Sequence, residues 1–257
     1  MYEIQTYLGA DGLMHCTVCK EPVEAFYPKG SLLEMRKHHR QCACERKAYA
    51  EEAQYYKEKE HRELIARNKK ICFEEKEMEG FTFQNVERDS GVIRIAEEYV
   101  TNWQKMKQNH MGYLFWGPVG TGKSYLAACI ANALLEKEVT VKMTNFNTIL
   151  NDLFAAEDKT EYIRLLNGYE LLIIDDLGVE RSSEYALENI FGVIDWRYRS
   201  GKPLIITTNL PLAQLKQETK IEKKRIYDRI LERCIPVKID GVSRREAMAN
   251  DNMQTMK

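Results

Sequence analysis

The chain has 257 residues, of which 44% are hydrophobic and 30% are charged, and its formal net charge is −1. This length suffices for one full-sized domain and a smaller one, and the near-neutral balance excludes a uniformly basic protein that binds nucleic acid through its overall charge. The N-terminal residues lack the basic start and apolar stretch of a signal peptide, and the apolar runs are too short to span a bilayer. We therefore expect a cytoplasmic protein.

The first 44 residues contain two closely spaced cysteine pairs, Cys16 with Cys19 and Cys42 with Cys44. Together they offer the four thiolates of a closed tetrahedral zinc site. A segment this small has little core, so a bound metal would contribute directly to its folding free energy. We predict a cysteine-rich zinc-binding domain over 1–44, with free or disulfide-bonded thiols as the alternative. The histidines that could replace one thiol are His15, His38 and His39.

Residues 45–79 are rich in Glu, Lys and Arg and contain neither Gly nor Pro. This composition predicts an exposed helix from Glu45 to about Lys70 within a charged helical linker. Two interpretations stay open for the helix: it reaches toward a protein partner, or it is a solvated tether.

From Phe81 onward, apolar strand-like runs alternate with amphipathic helical stretches. The predicted strands are 113–116, 139–143, 171–174, 203–207 and 235–239. The predicted helices are 93–106, one ending at 135, one beginning at 148, 185–198 and 222–233. This alternation predicts an α/β fold, with a parallel sheet flanked by helices, for a domain over 80–257.

A glycine-rich segment between a predicted strand and helix matches the P-loop pattern. The predicted ATP-binding residues are Gly117, Pro118, Val119, Gly120, Thr121, Gly122, Lys123 and Ser124. The glycines let the loop wrap closely around phosphates, and the loop amides and the helix N-terminus bind them. Lys123 would reach the β- and γ-phosphates, and the Ser124 hydroxyl would bind Mg²⁺.

Polar residues end two of the predicted apolar strands, 171–174 and 203–207. Asp175 is the predicted Mg²⁺ partner, and Asp176 is predicted to polarise the attacking water. A cluster of two acids that starts a loop is the alternative. Because Asp176 is one methylene shorter than glutamate, we expect slow ATP hydrolysis. Asn209 is predicted to orient water against the γ-phosphate, with a simple turn before Pro211 as the alternative.

The helix 222–233 carries Arg225, Arg229 and Arg233 at intervals of four residues, which places them in one stripe. Arg225 is our first candidate, and Arg229 the second, for an arginine finger that enters a neighbouring subunit's site. Such a charge is worth about 10³–10⁵ in rate in other P-loop enzymes. An ordinary exposed charged face is the alternative.

The ordered set of motifs over about residues 80–250 resembles the DnaC-type helicase loaders. The motifs are Gly-Pro-Val-Gly-Thr-Gly-Lys-Ser, Leu-Leu-Ile-Ile-Asp-Asp-Leu-Gly, Ile-Thr-Thr-Asn-Leu, Arg-Ile-Tyr-Asp-Arg-Ile and Gly-Val-Ser-Arg-Arg. The resemblance implies an AAA+ ATPase that self-assembles, binds single-stranded DNA and delivers a DnaB-type replicative helicase, with hydrolysis dependent on self-assembly or DNA. It also implies an N-terminal region that contacts the helicase. Phage and plasmid members of this family often have a cysteine-rich N-terminus like this one.

The resemblance favours Arg245 as the sensor-2 contact to ATP, but Arg244 replaces the family's aromatic residue and stays a candidate. For single-stranded DNA, the candidates are Asn145, Phe146 and Asn147, with core packing of Phe146 as the alternative.

Two other functions compete with helicase loading. An IstB-type transposition ATPase acts with a transposase and usually lacks a zinc knuckle. A small-molecule kinase would use the same P-loop, but the combination of the Asp-Asp and Thr-Thr-Asn motifs argues against this function.

Overall fold

The computed structural model describes residues 5–33, 36–85, 91–178 and 183–241. The chain divides into two compact units, Met1–Leu64 and Ile65–Lys257. Among the described helices, none combines the length and the apolar composition needed to cross a membrane.

The first unit contains two small antiparallel pairs of strands. In one pair, β1 (Thr6–Leu8) lies beside β2 (Met14–Cys16), and in the other, β3 (Glu24–Phe26) lies beside β4 (Lys37–His39). The buried apolar residues of this unit form a minimal cluster of Cys16, Val23 and Cys42. Strands this short with so little buried apolar surface are marginally stable by themselves.

The helix α1 (Ala43–Cys72) extends the predicted exposed helix by about two residues at each end. Of its residues, Ile65 and Cys72 are buried. Ion pairs between residues four apart lie on its surface, with Lys47 Nζ 3.8 Å from a Glu51 carboxylate oxygen. The long polar helix that the composition predicts is therefore present.

A five-stranded parallel sheet forms the centre of the second unit. Its strands are β5 (Gly112–Trp116), β6 (Val141–Asn145), β7 (Leu171–Leu177), β8 (Leu204–Thr208) and β9 (Cys234–Lys238), in the spatial order β6-β7-β8-β5-β9. The helices are α2 (Gly91–Thr101), α3 (Trp103–Gln108), α4 (Lys123–Leu135), α5 (Phe146–Ala155), α6 (Lys159–Leu166), α7 (Glu184–Ser200), α8 (Leu212–Lys216) and α9 (Ile221–Arg233). The predicted α/β class with a parallel sheet is confirmed.

Two apolar cores cover the two faces of this sheet. On β7, Ile173 packs into the core formed with α2 and α4, whereas Leu172 and Ile174 pack into the core formed with α5, α7 and α9. Successive residues of a strand point to opposite faces, so a strand that is covered on both sides is apolar throughout. This explains the uninterrupted apolar run before Asp175.

The predicted helix 93–106 is wrong as a single element. The helix α2 ends at Thr101 and α3 begins at Trp103. At the break, the Thr101 hydroxyl donates to the Glu97 carbonyl at 2.9 Å, and the Asn102 side-chain amide donates to the Glu98 carbonyl at 3.0 Å. Side chains that bond back to the preceding turn in this way compete with the regular helical pattern.

The predicted strand 139–143 begins two residues later in the structure, at Val141. The amide of Val139 donates to the Leu134 carbonyl at 3.1 Å, so this residue still belongs to the turn that ends α4.

The sequence reasoning also missed α6. Its signal was Asp158, whose carboxylate accepts hydrogen bonds from the amides of Thr160 and Glu161 at the N-terminus of the helix.

Candidate nucleotide site and cysteine cluster

The glycine-rich loop connects β5 to α4, as the pattern predicts. Gly117 has φ 147°, and a Cβ atom there would lie 2.1 Å from the Ile239 carbonyl oxygen. Gly122 has φ 93° directly before α4, in the left-handed region that residues with a Cβ rarely adopt. The backbone path of the loop therefore requires glycine at both ends.

Hydrogen bonds within the loop hold the side chains of Lys123 and Thr121. The Lys123 ammonium donates to the carbonyls of Gly117 at 3.0 Å and Pro118 at 2.7 Å. The Thr121 hydroxyl donates to the Pro118 carbonyl at 2.9 Å. Lys123 is buried at the N-terminus of α4, where the first helical amides and the helix dipole favour an anion. Gly117, Pro118, Thr121 and Lys123, four of the predicted residues, are thus joined by hydrogen bonds within one loop.

The two adjacent acids occupy different environments because the strand is irregular between them. The register of β7 against β8 shifts between Ile174 and Leu177, and Asp176 has φ 56°. A bulge of this kind redirects a side chain, and positive φ is uncommon for a residue other than glycine. As a result, Asp175 is partly buried and Asp176 is exposed.

Thr207 connects the two acids and was missed by the sequence reasoning. Its side chain is fully buried, its hydroxyl donates to a carboxylate oxygen of Asp175, and the same hydroxyl accepts from the Asp176 amide at 3.0 Å. A signal existed, since Thr207 belongs to the polar run that ends an otherwise apolar strand.

Ser124 and Asp175, the two predicted Mg²⁺ ligands, lie in hydrogen-bond contact. Burial raises the pKa of Asp175, while the hydrogen bonds from Thr207 and Ser124 act in the opposite direction. A bound cation beside the carboxylate would likewise favour its ionised form. The donor set of one hydroxyl and one carboxylate therefore fits Mg²⁺, which prefers oxygen ligands.

Asn209 follows β8 directly, and β8 lies between β5 and β7 in the sheet. The carboxyl ends of these parallel strands share one edge, so Asn209 lies at the edge where the loop and the acids are. The neighbouring Thr208 hydroxyl donates to the Leu177 carbonyl at 2.7 Å and accepts from the Leu210 amide at 3.1 Å. The chain after Thr208 is thereby tied to the end of β7.

The two arginine-finger candidates have different partners on α7. Arg225 is exposed, and its guanidinium lies 4.1 Å from the centre of the Phe191 ring. Arg229 Nε lies 3.2 Å from a carboxylate oxygen of the buried Asp195. The sensor-2 candidates, Arg244 and Arg245, lie outside the described residues.

The predicted stacking of a DNA base on Phe146 is wrong, and the alternative of core packing is confirmed. This side chain is 1% exposed and packs in the core with Ile149 and Leu153. The Asn145 side chain accepts a hydrogen bond from the Thr148 amide at 2.9 Å and caps α5. Of the three candidate residues, Asn147 is exposed.

In the first unit, the four N-terminal cysteines converge. The sulfur atoms of Cys16, Cys19, Cys42 and Cys44 all lie within 4.8 Å of one another, and the seven cysteines of the chain are free thiols. In a tetrahedral site with Zn–S bonds of about 2.3 Å, sulfur atoms lie roughly 3.8 Å apart, so the cluster matches this size.

The three candidate histidines have other partners. His15 Nε2 lies 2.9 Å from an Asp11 carboxylate oxygen, His39 Nε2 lies 3.2 Å from Glu45, and His38 Nδ1 lies 2.9 Å from the His39 carbonyl oxygen. The set of side chains that the structure brings together is therefore the four thiols.

The protonation states of the clustered thiols also favour the binding of a cation. The Glu21 amide donates to the Cys19 sulfur and helps lower the pKa of this thiol to about 6, whereas burial raises the pKa of Cys44 to about 12. Four thiolates cannot coexist at this distance without a positive charge to stabilise them. A divalent metal supplies that charge, so metal binding and deprotonation are coupled.

Comparison with known proteins relates most of the chain to one group. Residues 48–251 match the model of the family described as IstB-like ATP binding protein. The replicative helicase loader DnaI of Bacillus subtilis is 24% identical over 192 residues, which are 68% of this chain and 62% of that protein. The replicative helicase loader DnaC of Escherichia coli K12 is 29% identical over 149 residues, 56% of this chain and 58% of that protein.

Among solved structures, a crystal structure of DnaI superposes with a TM-score of 0.59 at 25% identity and covers 70% of this chain and 100% of that chain. The alignments with the two curated relatives thus span about three fifths of the length of each.

Proposed function

The chain belongs to the family of IstB-like ATP binding proteins, with the AAA+ fold of the DnaC-type proteins, and on that premise we propose that it loads a DnaB-type replicative helicase onto single-stranded DNA. The observation that carries the ATPase part of this proposal is the convergence of Lys123, Ser124, Asp175 and Thr207 at one edge of the sheet. The similarity to DnaI and DnaC, both named replicative helicase loaders, supports the loading role.

Each site residue has a proposed part in ATP hydrolysis. The loop amides and Lys123 bind the β- and γ-phosphates. Ser124 and Asp175 would hold Mg²⁺, which neutralises phosphate charge. The exposed Asp176 polarises the attacking water, and Asn209 orients that water. Hydrolysis is slow because the Asp176 carboxylate is one methylene shorter than glutamate, which increases its distance from the water.

The site is completed by a second copy of the chain. In this proposal Arg225 enters the neighbour's site as the arginine finger, so ATP controls self-association and hydrolysis depends on assembly or DNA. Arg245, or Arg244 in its place, contacts the phosphates as sensor 2. The exposure of Arg225 and its contact with an aromatic face, rather than with a carboxylate, support this choice over Arg229.

The N-terminal residues supply the contact with the helicase. In this proposal residues 1–44 form a zinc-binding domain on Cys16, Cys19, Cys42 and Cys44, residues 45–79 form a helical linker, and residues 80–257 form the ATPase domain. In this proposal the exposed surface of α1 is available to the helicase, and bound zinc keeps the first unit folded.

The decisive test is capture of the full chain on immobilised DnaB-type helicases from several bacteria, with ATP and Mg²⁺ present. We expect binding to at least one helicase, and loss of binding when residues 1–64 are removed, while nucleotide affinity of the shortened chain is retained. Failure of the full chain to bind any of the helicases would reject the loading function and leave the ATPase assignment intact.

A second candidate, an IstB-type helper of transposition, is favoured by the description of the matched family. The same capture experiment with a transposase and with double-stranded DNA separates the two functions. A helicase loader binds the helicase and prefers single-stranded DNA, whereas a transposition helper binds the transposase and prefers the duplex.

A further inference from the structure

Residues 71–78, the end of α1 and the turn that follows it, cover one edge of the sheet, and we call them the edge segment. The strand β6 is the first in the order β6-β7-β8-β5-β9, so its outer side has no neighbouring strand among the described residues. The Lys142 ammonium donates to the Ile71 carbonyl at 3.1 Å, and the Met143 amide donates to the Cys72 sulfur. The open edge of a sheet is commonly covered by a helix or loop in this way.

Glu74 joins the edge segment to both β6 and α5. One of its carboxylate oxygens accepts a hydrogen bond from the buried Thr144 hydroxyl at 2.7 Å, and the other accepts from the Thr148 hydroxyl at 3.0 Å. The Lys142 ammonium lies 4.0 Å from the first of these oxygens. Hydrogen bonds to a charged acceptor are roughly twice as strong as those between neutral groups, so this carboxylate attaches the segment firmly.

Asn145 lies between the two threonines that bind Glu74. It is the last residue of β6, and its side-chain oxygen accepts from the Thr148 amide at 2.9 Å at the start of α5. Thr148 is thus held twice, through its amide by Asn145 and through its hydroxyl by Glu74. The Glu74 carboxylate therefore fixes the point where β6 ends and α5 begins.

Asn145 is also the strand partner of Asp175. The pairing of β6 with β7 continues to Asn145 and Asp175, whereas the register of β7 with β8 shifts between Ile174 and Leu177. The regular backbone pairing of Asp175 is therefore with β6, the strand that Glu74 holds.

A small cavity lies between the edge segment and Asp175. Glu74, Glu75 and Met78 line it on one side, and Asn145 and Asp175 line it on the other. It has about 40 Å³ of space that admits water, which is room for roughly three molecules. The edge segment and the carboxylate proposed to bind Mg²⁺ therefore face one small space.

We propose that Glu74 is a positioning residue of the nucleotide site and that it couples the end of α1 to Mg²⁺ binding. This inference rests on the ATP site proposed above. Glu74 holds the end of β6, and the end of β6 holds Asp175 where it meets Ser124. Release of Glu74 loosens this strand end, so the carboxylate is no longer fixed in the position that suits the ion.

The same contacts connect α1 to the nucleotide site. Glu74 follows the last residue of α1 by two positions, and α1 includes residues of both compact units. A partner that displaces the end of α1 breaks the contacts of Glu74 and Lys142 with β6 and thereby weakens Mg²⁺ binding. Because coupling between two sites is reciprocal, binding of Mg²⁺ with nucleotide stabilises the attachment of the edge segment.

The test measures binding of a fluorescent ATP analogue to the full chain at increasing Mg²⁺ concentrations. In the Glu74→Ala variant, we expect the Mg²⁺ concentration at half-maximal binding to rise roughly three- to tenfold, since the residue acts through its neighbours. Affinity for the analogue in EDTA should not change, because the loop amides and Lys123 bind phosphate without Asp175. The matched control, Glu77→Ala, removes an exposed carboxylate of the same segment and should behave like the unmodified chain.

Equal Mg²⁺ dependence in the Glu74→Ala and Glu77→Ala variants would overturn the proposal, as would an equal loss of affinity with and without Mg²⁺. If circular dichroism shows that Glu74→Ala does not fold, Thr148→Val removes one of the two hydrogen bonds and is expected to raise the same Mg²⁺ concentration by a smaller factor. Failure of the unmodified chain to bind the analogue would instead reject the ATP site on which the proposal rests.

Hydrogen exchange measured by mass spectrometry tests the coupling in the other direction. The analogue with Mg²⁺ should slow amide exchange within residues 71–78 of the unmodified chain and of the Glu77→Ala variant. The effect should be weaker in the Glu74→Ala variant. If exchange in this segment of the unmodified chain does not respond to the bound analogue and Mg²⁺, the coupling is contradicted.

Discussion

At the scale of single residues, the nucleotide site depends on Thr207 as much as on the recognised motif residues. Its hydroxyl both donates to Asp175 and accepts from the Asp176 amide, so one buried atom orients the Mg²⁺-binding carboxylate and holds the strained backbone beside it. In this position threonine is a positioning residue, since its contacts reach the proposed reaction through Asp175 and Asp176.

Replacing Thr207 by Val keeps the shape of the side chain and removes both hydrogen bonds. Hydrogen bonds to charged groups are worth about 1.5–3 kcal/mol, so we expect ATP hydrolysis to fall by roughly ten- to a hundredfold. We also expect half-maximal activity to require several times more Mg²⁺, which is measured by titrating the ATPase reaction with magnesium.

The Thr207→Ser variant is the control, because it restores the hydroxyl and should recover the magnesium dependence. If Thr207→Val lowers thermal stability but leaves the magnesium titration unchanged, Thr207 is only a structural residue.

At the scale of elements, α9 presents three arginines in one stripe, yet the packing against α7 gives each a different environment. Arg225 is exposed over Phe191, Arg229 pairs with the buried Asp195, and Arg233 lies over the Tyr198 ring. Helical spacing predicts the stripe but treats its members as equivalent. The residues that contact these arginines lie on another helix, and the spacing along α9 carries no information about that helix.

Arg225→Ala and Arg229→Ala form a matched pair of substitutions one helical turn apart. Arg225→Ala should leave the free energy of unfolding almost unchanged and abolish the increase of ATPase activity with protein concentration. Arg229→Ala should lower the free energy of unfolding by about 1–2 kcal/mol, because the buried Asp195 loses a charged hydrogen-bond donor. Urea denaturation and ATPase assays over a range of chain concentrations check both expectations.

If the two variants exchange behaviour, with Arg229→Ala stable and inactive, then Arg229 is the better candidate for the finger. Retention of concentration-dependent activity in both variants would exclude both arginines.

The segment that follows α1 is also defined by tertiary contacts. The two carboxylate oxygens of Glu74 accept hydrogen bonds from the hydroxyls of Thr144 at 2.7 Å and Thr148 at 3.0 Å. The Asn132 side-chain amide donates to the Met78 carbonyl at 2.8 Å and to the Phe81 carbonyl at 2.9 Å. These contacts join residues 74–81 to the sheet and helices of the second compact unit, which begins at Ile65, within the polar stretch that composition describes as linker.

At the scale of the whole molecule, the two units differ in what stabilises them. The second unit has two extensive apolar cores, one on each face of its sheet. The first has a core of Cys16, Val23 and Cys42, with Met14, Cys19 and Cys44 packed around it. Because two of these buried residues are candidate metal ligands, we expect the stability of the first unit to depend on whether its thiols bind a metal.

We predict one zinc ion per chain by elemental analysis of protein purified in reducing buffer. Removal of this ion with a strong chelator should make residues 5–42 sensitive to proteolysis and should abolish helicase capture. Nucleotide affinity should stay the same, because the second unit has its own core. Cys42→Ser should reproduce the effect of chelation.

Absence of zinc from the reduced protein would reject the metal site. Loss of nucleotide affinity on chelation would instead contradict the independence of the two units.

The sequence alone determined the class of the fold and the phosphate loop, because both depend on local order. Apolar runs that alternate with amphipathic stretches require a parallel sheet covered on two faces, and the glycines around Lys123 permit a backbone path that other residues do not. The cysteine pairs were likewise visible as two short segments, and the structure shows that their four sulfur atoms meet.

Only the tertiary structure decided which side chains share an environment. It buried Phe146, joined Thr207 to both acids, separated Arg225 from Arg229 by their partners, and gathered Arg197, Lys202 and Arg233 into one pocket from α7, α9 and the turn before β8. The physical reason is that burial and electrostatic environment depend on neighbours that are distant in the chain. Local spacing specifies where a side chain lies on its own helix or strand, but not what packs against it.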